Sequence, residues 1–419
     1  MFEFSNRLTE LSDFALKNAA RAFAQIEKTT EFNQQKMLKA FVKNGVSEAM
    51  FAPSTGYGYG DRGREVIDRV FADAVGAEDA VVRHNFTCGT HTLTVALFGV
   101  LRPGDTMLCV TGLPYDTIQP VIGIGGDRDH IGSLHDFGIH YAQVDLDANG
   151  CPDYAAIENA VQKLQPKMVY IQRSRGYSLR PSLSVSQIGK IAAITKQHSK
   201  AVVMVDNCYG EFTEKTEPTQ AGADLIAGSL IKNPGGGIAP TGGYIAGRRD
   251  LVELCCNRLT TPGLGREVGA TLGHTRELFM GLFHAPHVVG EALKTAVFAA
   301  HLFASLGFEP TPAPQEERHD IIQAIKLQRA ENLIAFCRGL QKASPIDSFV
   351  VPEPSDMPGY DSKVIMAAGA FTLGSSIELS ADGPLREPFA VWMQGGLNFH
   401  SAKLAVLSAA QSVLDAQEG

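Results

Sequence analysis

Lys232 and Asp206 are the two residues whose chemistry most needs explaining. Lys232 follows the run Ser229-Leu230-Ile231 and precedes a glycine cluster, Asn-Pro-Gly-Gly-Gly. A lysine beside a Gly/Pro turn is ordinarily a surface residue, so a chemical role for it requires companions. Asp206 closes the apolar run Ala-Val-Val-Met-Val that begins at Ala201. That run places its carboxylate at the buried carboxyl edge of a central strand. An unpaired acid is costly there, and it either takes up a proton or finds a cation. Two arrangements meet the requirement: a structural ion pair with Lys232, or an acid and an amine flanking a bound cofactor.

Other apolar runs end in residues with complementary chemistry. Cys88, Gly89 and Thr90, in "FTCGTHTL", form a strand-to-helix turn. Free backbone N–H groups and the helix dipole make such a turn a seat for an anion, although taken alone it is a plain helix cap. Tyr115, in "VTGLPYDT", is an aromatic side chain at a strand exit that can cover a flat ring. A pyridine ring kept protonated needs a carboxylate, its aldehyde an amine, its phosphate a glycine–hydroxyl turn and its face an aromatic. Cys88-Gly89-Thr90, Tyr115, Asp206 and Ser229-x-x-Lys232 supply these in order, as a pyridoxal phosphate site requires.

Positioning these residues requires a regular frame. Short apolar runs ("DAVVRHNF", "DTMLCVTG", "KMVYIQR", "AVVMVDN", "ADLIAGSLI") alternate with amphipathic helical patterns. This predicts an α/β architecture with a mostly parallel sheet covered on both faces. Ligands of such sheets bind at the carboxyl ends of the strands. Residues 1–50 read as a helical N-terminal arm, 51–285 as the large cofactor-binding domain and 286–419 as a smaller C-terminal domain. Within the last, Phe349–Glu378 carries the strands of a separate α/β layer.

Composition excludes several classes. A net charge of −8 and a pI near 5.9 give no basic footprint for nucleic acid or an anionic membrane. No uninterrupted apolar stretch approaches a spanning length, and the first residues lack the basic cap of a secretory signal. Seven cysteines without C-x-x-C spacing, two of them adjacent (Cys255, Cys256), read as reduced thiols of a cytoplasmic protein. His284 and His287, with the scattered His130, His135 and His140, lack the companion ligands of a metal site, so no metal is expected. Neither a G-x-G-x-x-G after the first strand nor a G-x-x-x-x-G-K-[ST] occurs, which argues against dinucleotide and nucleoside-triphosphate enzymes.

The stretch from Tyr57 to Gly247 resembles the cystathionine/methionine lyase group of fold-type I pyridoxal-phosphate enzymes, most closely its aluminium-resistance branch. The motifs that carry the resemblance are "CGT" at Cys88, "YDT" at Tyr115, "VDN" at Asp206 and "SLIK" ending at Lys232. It implies a seven-stranded, mostly parallel sheet in an α/β/α sandwich plus a smaller C-terminal α/β domain. It also implies Ser229 as a phosphate contact. In "GYGYGDRGR" it makes Tyr57, Tyr59 and Arg64 candidates to complete a neighbouring subunit's phosphate site, hence a homodimer or homotetramer. Where the group carries Thr-Asn-Pro, this chain has "QRSRGYS", with Arg173, Arg175 and Gly176.

On this reading Lys232 holds the cofactor and, once freed, removes the substrate's α-proton, for which burial must lower its pKa toward ~7–8. Asp206 keeps the ring protonated. Arg386, in "SADGPLREP", is the first choice for a fork-like cation on the substrate carboxylate, with Arg173 and then Arg175 behind it. The expected activity is a lyase cleaving carbon–sulfur bonds of an amino acid by β- or γ-elimination. The alternative is a non-catalytic cofactor-binding module with a regulatory or partner-binding role.

Overall fold

A computed structural model describes residues 3–125, 131–356 and 362–418. His130 and part of the 349–378 segment lie outside these. The large sheet contains β1 (Asp79–Arg83), β2 (Thr106–Cys109), β3 (His140–Gln143), β4 (Met168–Gln172), β5 (Val202–Asp206), β6 (Leu225–Ser229) and β7 (Gly243–Gly247). Their order is β1-β7-β6-β5-β4-β2-β3. Only β7 is reversed: it pairs antiparallel with both β1 and β6, while the remaining pairs are parallel.

The doubly apolar strands are explained by two cores, one on each face. Along β5, Val203 and Val205 enter one core and Val202 and Met204 the other, the two-residue alternation of a strand covered on both sides. The helices that cover the sheet follow from the amphipathic segments. These are α1 (Asn6–Lys43), α2 (Arg62–Val75), α3 (Gly89–Val100), the short α4 (Gln119–Ile122), α5 (Tyr154–Leu164), α6 (Val185–His198) and α7 (Arg249–Leu259). Helices α2, α5 and α6 pack on the first face and α3 and α7 on the second. Asp61 caps α2 by accepting from Arg64 N–H, and Gly76 ends it at φ 66°, a conformation glycine adopts without strain.

Helix α8 (Thr275–Ser305) runs through the boundary expected at 285/286, with Pro286 inside it. Its first half (Leu282, Ala285, Val289) belongs to the large-domain core, and its second half (Phe298, Leu302, Phe303) to the core of the smaller unit. Helix α1 joins both cores in the same way, through Met37 and Ala40 at one end and Leu8 and Ala15 at the other. By length and composition α8 could cross a membrane, yet most of its residues are buried in these cores.

The smaller unit adds β8 (Glu309–Thr311), β9 (Ile322–Lys326), β10 (Val364–Ala367), β11 (Ser380–Pro384) and β12 (Ala390–Gln394). They form an antiparallel sheet in the order β10-β11-β12-β9-β8. Residues from α9 (Ala330–Lys342) and α10 (Phe399–Glu418) share a core with Ile325, Ile365, Ala381 and Val391 of this sheet. The alternate residues, Met366, Asp382 and Trp392, line a cavity shared with the large domain.

Candidate active site

The carboxyl ends of β4, β5 and β6 lie side by side, with Gln172 in register with Asp206 and Asp206 with Ala227. Asp206 is buried; its Oδ1 accepts from Cys208 N–H at 3.1 Å, and the Tyr170 hydroxyl lies 3.5 Å from Oδ2. Burial pushes its carboxyl above the usual range, and the Lys232 charge opposes that shift. Lys232 Nζ sits 4.1 Å from the centroid of the Tyr209 ring, a cation–π contact. Burial opposes the ammonium, but Cys208, Tyr209, Asp206 and Tyr115 outweigh it and hold the amine well above the usual lysine value. The lowering to about 7–8 expected for a base is therefore not produced by these protein groups.

The segment after β5 supports the lysine. Tyr209 has φ 70° without being glycine, a conformation that costs on the order of 1–3 kcal/mol and recurs at functional sites. Its carbonyl accepts from Asn233 Nδ2 at 3.0 Å, and the Glu211 carbonyl accepts from the same amide at 2.9 Å. The side chain next to Lys232 thus ties the lysine segment to the loop that leaves Asp206.

Around the start of α3 the residues fit a phosphate. Cys88 caps the helix, its Sγ accepting from His91 N–H at 3.3 Å. A Cβ on Gly89 would lie 3.4 Å from Ser229 Cβ, so the glycine brings backbone close to the serine. Thr90 Oγ1 and Thr117 Oγ1 are 2.7 Å apart. Ser229 is 1% exposed, and its hydroxyl is buried with no hydrogen-bond partner among the described residues. A buried unpaired hydroxyl is costly in a native protein, and a phosphate oxygen at this helix N-terminus would satisfy it. Tyr115 N–H donates to Gln172 Oε1 at 2.6 Å, fixing the tyrosine to the end of β4. Gly176 leaves room for the Tyr115 ring: a Cβ there would come within 3.0 Å of it.

Of the remaining sequence-predicted residues, two arginines are overturned as substrate ligands. Arg173 is fully buried and its guanidinium is spent on Leu183 O, Asn207, Gly210 O, Thr213 and Glu214. Arg175 is buried against Thr311 O and Asp320, joining the β4 loop to the smaller unit. Arg64 also points inward, donating to Gly269 O and Glu267 O, and so cannot reach outward as expected; Arg62 beside it is exposed. Tyr57 and Tyr59 project from the surface, 73% and 60% exposed, with ring centroids 5.6 Å apart. Arg386 is exposed, and its charge acts on Asp116, the neighbour of Tyr115.

The sequence reading missed Tyr177, Tyr209, Asp382 and Trp392, which with Tyr115 line a cavity of about 220 Å³. The available signal was weak: an acid and an indole at alternating positions of two short strands. A larger cleft of about 1070 Å³ between α2 and α7 is lined by many charges, two pairs of which are Arg83 with Asp68 and Arg266 with Asp79. It contains none of the predicted site residues.

The family described as Methionine gamma-lyase matches residues 8–414. A carbon-sulfur lyase involved in aluminium resistance from Clostridium novyi superposes with a TM-score of 0.94 at 49% identity, over 97% of this chain and 96% of that one. The uncharacterized protein YnbB of Bacillus subtilis is 48% identical over 394 residues, covering 94% of this chain and 93% of that protein. At 15% identity, the pyridoxal-5'-phosphate dependent protein YhfS of Escherichia coli shares the fold, with a TM-score of 0.64 over 93% of this chain and 97% of that one. The architecture is therefore fold-type I, with its large mostly parallel sheet and smaller C-terminal unit.

Proposed function

Because the chain belongs to the methionine gamma-lyase family of carbon–sulfur lyases, we propose that it is a pyridoxal-phosphate-dependent enzyme eliminating a sulfur leaving group from an amino acid. The reaction is an α,β- or α,γ-elimination of the cystathionine β-lyase or methionine γ-lyase type. The observation that carries this reading is the unpartnered Ser229 hydroxyl beside Gly89, on the same sheet edge as the Asp206/Lys232 pair.

Gly89, Thr90 and Ser229 would hold the phosphate, Tyr115 would cover the ring, Asp206 would face the ring nitrogen and Lys232 would hold the aldehyde carbon. The cofactor, when bound, supplies an electron sink for the substrate's α-carbon. Asp206, whose proton affinity burial raises, would hold a proton between its carboxyl group and the ring nitrogen. Lys232 Nζ, held over the Tyr209 ring, would move the α-proton in the loaded enzyme, where the bound cofactor rather than these protein groups must lower its proton affinity. Arg386, whose charge acts on Asp116 next to Tyr115, would receive the substrate carboxylate. The exposed Tyr57–Tyr59 pair supports a homodimer or homotetramer in which this loop meets a second copy. Seven unbridged cysteines support a cytoplasmic location.

The test is spectroscopic and then chemical. Protein loaded with pyridoxal phosphate should absorb near ~420 nm, and Lys232→Ala should lose that band. A panel of cystathionine, cysteine, methionine and homoserine derivatives should release a keto acid. A band with no turnover on any of them would support the non-catalytic module instead.

A further inference from the structure

The cavity between the two units contains an acid that the proposed chemistry leaves unused. Asp382 on β11 stands opposite Trp392 on β12 and Met366 on β10. It is 5% exposed and lines the cavity of about 220 Å³ beside Tyr115, Tyr177 and Tyr209. Tyr177 hydrogen-bonds its carboxyl group, while Oδ1 has no partner among the described residues. The Ser375 and Ser376 hydroxyls, of residues lining the same cavity, are also buried without partners among the described residues. The described lining includes no lysine, arginine or histidine.

Three buried oxygens without a partner among the described residues belong to residues that line this one cavity, a cluster that marks a recognition site because each left unpaired carries a cost. The walls define the ligand's chemistry. Tyr177 and Trp392 meet edge to face with centroids 5.5 Å apart, and Tyr115 lies 6.3 Å from Tyr177. A carboxylate oxygen among aromatic faces is complementary to a cation: the acid supplies charge and the rings their electron-rich faces. An anion would meet the charge of the ionised Asp382, and a purely apolar group would leave its Oδ1 unpaired. Burial raises this carboxyl to about 7, as expected for an acid awaiting a counter-charge.

We propose that Asp382 receives an ammonium group carried by the substrate's leaving-group side chain, with Tyr177 and Trp392 as walls. The α-amine is committed to the cofactor, so the group recognised here is a second, distal amine. This deepens the lyase reading and rests on it for the identity of the ligand as an amino acid.

Trp392 is the chain's single tryptophan, so its fluorescence reports directly from this wall. Holoenzyme is mixed rapidly with S-aminoethyl-L-cysteine or its neutral isostere S-propyl-L-cysteine, and the initial fluorescence amplitude is titrated. The aminoethyl compound should bind at least ~10-fold more tightly, as a charge-assisted hydrogen bond implies. Asp382→Asn should bring the two within ~2-fold while leaving S-propyl binding unchanged. Equal affinities in the wild type, or a preference that survives Asp382→Asn, overturn the proposal. If the variant binds neither compound, the wild-type comparison alone decides. Keto-acid release is measured in parallel. A fluorescence preference without turnover sinks the lyase reading alone, and turnover without preference sinks this proposal alone.

Discussion

Asn233 Nδ2 donates to the Tyr209 carbonyl at 3.0 Å, joining the segment that contains Lys232 to the loop that leaves Asp206. Because the same amide reaches Glu211 O at 2.9 Å, one buried side chain satisfies two carbonyls and fixes the spacing between acid and amine. Asn233→Ala should cost on the order of 1–3 kcal/mol, the penalty for leaving buried carbonyls unpaired. The measurement is the shift in urea midpoint, together with cofactor affinity, which should weaken as Lys232 loses its tether. An unchanged midpoint would show that the tether is dispensable.

The parts of the site legible in the sequence are those encoded within a few residues. Asp206 and Ser229 end doubly apolar runs, and Gly89 sits where a strand turns into a helix, so local pattern alone put them on one sheet edge. The arginines were not legible in this way. "QRSRGYS" places Arg173 and Arg175 near the site, but their direction depends on Glu214, Glu217 and Asp320, far along the chain. Arg64 shows the same limit: its partners are carbonyls at Glu267 and Gly269. Asp382 and Trp392 face the cavity together because β11 pairs with β12 in one register, and a one-residue slip of either strand would turn its own residue to the other face. The smaller unit's contribution to the site is a property of that pairing, which local pattern does not specify.

Two buried acids make stability depend on pH in the unusual direction. Burial pushes Glu211 up to about 8 from 4.5 and Asp382 up to about 7 from 3.8. Each therefore keeps its proton in the folded chain where the unfolded chain has released it. A raised acid contributes fully below its unfolded pKa, and the contribution disappears as pH rises through the folded value. The window for these two runs from about pH 4 to about pH 8. Glu211→Gln cannot ionise, yet it retains an oxygen to accept the Tyr244 hydroxyl, which lies 2.6 Å from Glu211 Oε1. Relative to wild type, the variant should gain stability steadily from about pH 5 to about pH 8 in urea titrations. A constant difference across that range would show that Glu211 is ionised throughout.

Arg173 and Arg386 are alike in the sequence but should behave oppositely when truncated. Arg173 donates to Asn207 at 2.8 Å, to Gly210 O at 2.9 Å and to Glu214 at 2.8 Å, and lies 3.7 Å from the fully buried Glu217. Arg173→Ala takes the cation away from that buried carboxylate, which keeps only the Phe212 N–H and Asn207 Nδ2 donors, and strips Asn207 Oδ1 of its donor, so a loss of about 3–5 kcal/mol is expected. Any loss of activity in that variant would follow from unfolding and the disturbed Asp206–Asn207 strand end. Arg386 is exposed on the turn between β11 and β12 and packs into no core. Arg386→Ala should move stability by less than about 0.5 kcal/mol while raising KM for amino-acid substrates roughly 10-fold or more, the loss of one charge-assisted contact. Chemical denaturation and steady-state kinetics on the two variants separate these outcomes. If Arg386→Ala keeps the wild-type KM, the substrate carboxylate is held elsewhere, and the exposed Arg62 becomes the cation to substitute next.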